Sequence, residues 1–238
     1  MKTKTILLTT STIAVIALTA CSGSGNSEKY KPVNYCPTVG FEFHPFDAPE
    51  ISETLKEHYL RVINEARSVA RDCGEYGHFE AAPPLKWSKA LYRAAYEHSY
   101  DMANTGYFSH KGSGTEFDWT FQVGEIEPTY YEDGSESRER VENNGYISGV
   151  EENIGLMNNR TPEHVVQRWL DSPGHCKAIM SYELQYMGMA KVKEPYDVKR
   201  DGWLGDYWTI DLGYQSDFDE NGTYIGEGSD SCIPPTEE

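Results

Sequence analysis

Five cysteines and seven histidines, set in an acid-rich chain, are the groups here that could do chemistry. No His-Glu-x-x-His segment or comparable local pair occurs, so any metal site must draw its ligands together from distant loops. Two imidazoles and one carboxylate would be the minimum for a zinc site that keeps a coordination position open for water or substrate. A nucleophile is harder to find. There is no Gly-x-Ser-x-Gly elbow, and Ser109 and Ser172, which lie near His110 and His175, show no triad logic. Asp217, Asp219 and Asn221, followed by Gly222, supply the first half of a calcium loop. Its twelfth position is Gly228, with Glu227 one residue early, so a solvated acidic turn is the expectation.

The cysteine count is odd, and Cys21 explains it. Residues 1–20 carry Lys2 and Lys4, no acid, and an apolar run from Ile6 to Ala17 that ends Leu18-Thr19-Ala20-Cys21. That run is too short to span a bilayer. The segment resembles a bacterial lipoprotein signal, in which the cysteine is acylated, for example with palmitate, and becomes the new N-terminus. The plain alternative is a secretory signal cut near Ala20. Either way the chain leaves the cytoplasm. Cys36, Cys73, Cys176 and Cys232 then remain, an even number in an oxidising compartment, with three pairings open. Ser22 stands where an aspartate would favour inner-membrane retention, which points to the outer membrane or cell surface.

At 238 residues, with 38% hydrophobic and 25% charged content, the chain suits one globular domain. Its formal charge of −17 repels phosphate backbones, which argues against a nucleic-acid partner. Removal of residues 1–20 takes away two lysines and no acid, so the acidity sharpens. Residues 21–50, with their Ser-Gly-Ser-Gly-Asn-Ser start, read as a flexible tether and N-terminal extension, and 217–238 as an acidic tail.

The elements that must position any site lie between. Leu55, Tyr59, Val62, Ile63, Ala66, Val69 and Ala70 share one helical stripe between Ser52 and Arg71, with a possible capping box at Thr54 and Glu57 and Gly74 as the stop. A second helix spans Ser88 to Asn104, with Leu91, Ala94, Ala95, His98 and Met102 facing in and Gly106 as a left-handed cap. His98 on that face is expected to be a satisfied core histidine; His44, His58, His78 and His164 read as surface or capping residues. Residues 112–150 lack a sustained period and read as a long surface excursion that decides nothing chemical. Thr161-Pro162-Glu163 and Ser172-Pro173 each open a helix, and Tyr186–Lys193 and Asp206–Tyr214 read as antiparallel strands around a Gly202 turn. Helices first and strands later give a layered α+β domain.

Several of these segments are distinctive together: Pro83-Pro84-Leu85-Lys86-Trp87, Ala94 through Ala103, Phe108-Ser109-His110, Glu152-Asn153-Ile154-Gly155, Trp169 through Cys176, and Tyr207-Trp208-Thr209. From about Glu53 to Tyr214 the chain resembles the CAP superfamily, or SCP domain, of cysteine-rich secretory proteins, venom antigens and plant pathogenesis-related proteins, in its bacterial branch. The resemblance implies a CAP domain over residues 51–216, folded as a three-layer α-β-α sandwich with a central antiparallel sheet and a cleft on one face. It implies His110, Glu152 and His175 as cleft residues able to hold a divalent cation, zinc first. The family's second acid has no counterpart: Ser172 stands at its position and Asp171 one residue early. The resemblance also pairs Cys73 with Cys176, which leaves Cys36 with Cys232.

The resulting expectation is a lipid-anchored, monomeric binding module that retains a lipid, envelope or protein ligand. Its membrane partner is the bilayer, through Cys21. A metal-dependent hydrolase with Glu152 as general base, and a structural or adhesive surface protein, are the alternatives.

Overall fold

The structure, a computed structural model, describes residues 43–123, 134–195 and 205–214. Helix α1, Glu53–Arg67, is capped by Ser52, whose Oγ accepts the Leu55 N–H at 3.3 Å. The cap is thus Ser52 and not the Thr54–Glu57 pair. The helix also stops short of Arg71, because the chain there turns into a small hairpin of β1, Arg71–Asp72, and β2, His78–Phe79. Gly74, with φ at +58°, opens the tight turn of that hairpin instead of ending the helix.

After β3, Lys86–Trp87, helix α2 runs Lys89–Thr105. Ser88 Oγ accepts the Leu91 N–H at its start, and Gly106, left-handed at φ +65°, closes its end, as expected. The excursion holds two helices that its sequence does not announce, α3, Trp119–Val123, and α4, Ser137–Asn143. Neither is long enough to establish a period. The start of α4 is held by the Glu139 carboxylate, which accepts the Glu136 N–H at 2.8 Å. Then follow β4, Val150–Met157; α5, Pro162–Leu170; α6, Pro173–Met180; β5, Tyr186–Lys193; and β6, Asp206–Gly213.

The four-stranded sheet has the order β3-β5-β6-β4. Its three long strands are antiparallel, and the two-residue β3 joins β5 in parallel, so the sheet is mixed. Helices cover both faces. On one, α1, α5 and α6 bring Ile63, Val165, Trp169 and Ile179 onto Met187, Met189, Trp208 and Ile210. Each such side chain contributes about 1.5–3 kcal/mol of burial. On the other, α2 lies so close to β5 that a Cβ on Gly188 would stand 2.0 Å from the Tyr92 nitrogen. Helix α4 packs beside α2, with Leu91, Ala94, Val141 and Tyr146 in one cluster.

Residues of the N-terminal extension join this layer: His44 exchanges hydrogen bonds with Asn143, Phe46 stacks on Tyr96, and Tyr92 Oη donates to Pro49 O. A disulfide links Cys73 to Cys176, with 5.5 Å between their Cα atoms. Cys21, Cys36, Cys232, Asp217, Asp219 and Asn221 lie outside the described residues, and with them the signal, the anchor, the second bridge and the calcium-type turn. Among the described residues no helix is long and apolar enough to cross a membrane.

Candidate functional site

β4 is an edge strand, so groups from the two faces of the sheet can meet along it. Glu152 belongs to the α2 side, where Ile154 packs with Met102 and Ala103 of that helix. Asn153 turns the other way, and its Nδ2 donates to the carbonyl of His175 at 3.2 Å. His110 and His175 therefore flank one strand from opposite layers. His175 occupies the first turn of α6, which Pro173 starts and which Cys176 anchors through its disulfide.

His110 sits in the turn beyond α2, and that turn is tied down from below. His98 Nε2 donates to Ser109 O at 2.8 Å, and Asp101 accepts from both the N–H and the hydroxyl of Ser113. The hydroxyl of Ser109 accepts the Lys111 N–H within the same turn. His110 Nδ1 lies 2.9 Å from Glu152 Oε1, while its ring remains half exposed. His98 is the buried core histidine expected. Even so, its Nε2 lies only 3.9 Å from the same Glu152 oxygen, so it belongs to the network around Glu152.

The residue that organises this network is Arg140 of α4, buried in the stretch that sequence reasoning set aside. Its Nη2 donates to Glu152 Oε2 at 2.7 Å and to the His110 carbonyl at 2.9 Å. Its Nη1 donates to the carbonyl and hydroxyl of Ser135. Asp118 in turn accepts from the N–H and hydroxyl of Ser135. Two more buried carboxylates lie within the field of the same guanidinium. Glu97 accepts from the Thr120 N–H and Asn144 Nδ2, and Asp211 has no hydrogen-bond partner on either oxygen.

Burial would raise the pKa of Glu152, but Arg140, with His98 and His110, reverses this and holds the carboxyl well below the usual carboxylate range. Burial pushes Glu97 up to about 7, against the opposing pull of Thr120, Arg140 and Asn144. Burial, with the charges of Glu152 and Glu97, raises Asp211 as well. His98 is driven down to about 4 by burial and by Arg140. His175 is lowered by burial and then by the charge of His110, so the two imidazoles feel one another.

An ionised carboxylate can only accept, so the neutral His110 ring must carry its proton on Nδ1 and present Nε2 as a bare lone pair. This is the arrangement of a metal-ligating histidine with a carboxylate behind it. Glu152 itself is fully engaged, one oxygen by Arg140 and one by His110, and its side chain is only 3% exposed. Among the described residues no three His, Cys, Asp or Glu side chains form a metal-holding group. Glu152 is thus placed to orient His110 and not to ligate, and the described residues offer no third protein ligand beside the two imidazoles. Asp171 does not fill the gap: it is exposed and accepts from Gln167 Nε2 at 2.8 Å. Ser172 caps α6 by its backbone conformation alone.

The sequence carried a faint signal for the buried acids. Glu97 interrupts the apolar face of α2, and Asp211 stands alone in the run Trp208-Thr209-Ile210-Asp211-Leu212. Arg140 carried none, since its neighbours Glu136, Arg138, Glu139 and Glu142 look like a solvated surface.

The family model described as "CAP: Cysteine-rich secretory protein family" matches residues 60–212, more than half of the chain. Among solved structures, the chain is similar to an outer surface protein of Borrelia burgdorferi, with 14% identity and a TM-score of 0.46 over 74% of this chain and 100% of that one. It is also similar to an extracellular SCP-domain protein of Bacillus anthracis str. Ames, with 20% identity and a TM-score of 0.43 over 71% of this chain and 45% of that one. No curated protein matches the sequence.

Proposed function

The chain belongs to the cysteine-rich secretory protein (CAP) family, and from that membership we propose that it is an extracytoplasmic, lipid-anchored binding module whose ligand is met by His110. The observation that carries this reading is the pairing of a half-exposed imidazole with a buried, ionised acid: His110 Nδ1 on Glu152 Oε1 at 2.9 Å. Such a pair presents one oriented basic nitrogen on a rigid frame. A divalent cation, zinc first, is the simplest occupant, shared between His110 Nε2 and the His175 ring, with Glu152 orienting the first of these. With only two protein ligands the affinity is modest, and ligand atoms would complete the coordination.

Retention of a ligand is favoured over metal-assisted hydrolysis by the state of Glu152, the acid that would serve as general base. Its Oε1 is engaged by His110 and its Oε2 by Arg140. Export is supported by the buried Cys73–Cys176 disulfide, which persists in oxidising compartments, and by the signal-like start that ends in Cys21. Acylated Cys21 would hold the domain at the bilayer, with the outer membrane or cell surface as its place.

Zinc titration by calorimetry of the full chain, with His110→Ala, His175→Ala and the double variant, tests the cleft. One zinc per chain in the wild type, weakened at least ten-fold by either single substitution, is expected. Equal zinc uptake by the wild type and the double variant would remove the cation from the reading.

A further inference from the structure

We infer that Arg140 is the positioning residue of the cleft imidazole, and that its guanidinium determines which nitrogen of His110 faces a ligand. One nitrogen, Nη2, holds the two ends of the arrangement at once: the Glu152 carboxylate at 2.7 Å and the backbone carbonyl of His110 at 2.9 Å. The first contact fixes Oε2 and so aims Oε1 at the ring. The second fixes the turn from which the ring projects. Nη1 ties both to Ser135, and the Asp118 carboxylate holds Ser135 by its N–H and hydroxyl. The position of the imidazole is therefore set by a chain of charge-assisted bonds that runs through α4 and not by α2 alone.

The inference goes beyond the binding role proposed above, since it concerns the atom that the cleft presents and holds whatever the ligand. With Arg140 in place, Glu152 accepts from Nδ1–H and Nε2 is bare. Without it, the carboxylate loses the bond that orients it and the turn keeps only its ties to α2, so Nδ1–H has no fixed acceptor. An imidazole without such a partner carries its proton mainly on Nε2, which would present a donor to the cleft in place of a base.

Long-range proton–nitrogen NMR of the full chain, labelled with nitrogen-15 in histidine and recorded at about pH 8.5, reads the tautomer of the neutral ring directly. His110 is expected as the Nδ1–H tautomer in the wild type and predominantly as Nε2–H in Arg140→Met. Because an apolar residue at this buried position can prevent folding, Arg140→Lys is measured alongside. It keeps the charge but has lost the fork that spans both acceptors, and a mixed population is expected. His58, which contacts Glu163 on the far side of the sheet, serves as the internal reference for folded protein. An unchanged Nδ1–H signal in either folded variant, or an Nε2–H signal in the wild type, overturns the assignment. Neither result depends on zinc binding, so failure here is distinguishable from failure of the cation reading.

Discussion

Glu152 and Asp211 stand opposite one another in the β4–β6 register, both buried beneath α2, and Arg140 is hydrogen-bonded to only one of them. A single guanidinium thus serves a layer that holds Glu97, Glu152 and Asp211. Its removal leaves the buried, ionised Glu152 carboxylate without its counter-charge, and breaking one partner of a buried pair costs about 3–5 kcal/mol. Arg140→Met is expected to lower unfolding free energy by that order in urea denaturation. Arg140→Met combined with Glu152→Leu should recover part of the loss, since it removes one buried charge with its partner. A double variant no more stable than Arg140→Met would show that the pair is not coupled.

The Cys73–Cys176 bridge closes a separation of 103 residues and grips α6 beside His175. Its surroundings are close-packed: Gly74 leaves room for the Pro173 ring, and the Lys177 ammonium lies over the Tyr76 ring at 5.2 Å. In the chain-entropy model a loop of this length contributes about 4.7 kcal/mol. Cys73→Ala with Cys176→Ala should lose about 3–5 kcal/mol in denaturant unfolding and weaken zinc binding more than His58→Ala does. An unaltered midpoint would show that the bridge does not constrain the unfolded chain.

Most of the scaffold was legible in the sequence, and most of the electrostatics was not. Helices α2, α5 and α6 announce themselves through Ser88 and Gly106, Thr161-Pro162 and Ser172-Pro173, because caps and proline act locally. Strand β5 falls at its expected bounds and β6 ends one residue before the expected Tyr214, because both are long apolar runs. Helix α4 is a short helix in an acid-rich stretch, and its helical state depends on burial of Val141 against α2 and of Arg140 against Glu152 and the His110 turn. No local pattern encodes that. Motif names His110 and His175, whereas the hold on His110 comes from a residue 30 positions beyond it whose partners only the fold supplies.

Gly188 shows how tightly the cleft layer is built. A side chain there would meet the backbone of α2 at Leu91 and Tyr92, atoms that cannot swing aside. Gly188→Ala must push the whole helix outward, and overpacking of this kind costs about 3 kcal/mol or more. The expected outcome is a melting temperature lower by several degrees together with loss of the Ser99–Thr209 hydroxyl bond that links α2 to β6. A melting temperature within a degree of wild type would mean that the helix has slack the geometry does not suggest.

Glu97 and His98, neighbours on α2, give stability opposite dependences on pH. Glu97 is raised from its ordinary 4.5 to about 7, so the folded state binds its proton more tightly than the unfolded chain does. Its contribution is fully present below about pH 4.5 and is lost as pH rises through 7. His98 is depressed from 6.5 to about 4, so its contribution is present above about pH 6.5 and is lost as pH falls through 4. Between those limits the two offset, and the wild type should show a shallow profile. Glu97→Gln removes the first dependence and keeps the second. Relative to wild type, the variant should gain stability from about pH 4.5 to about pH 8 by an amount on the order of 3 kcal/mol, measured by urea unfolding at each pH. Parallel curves across that range would show that Glu97 is not held as a neutral acid beneath the cleft.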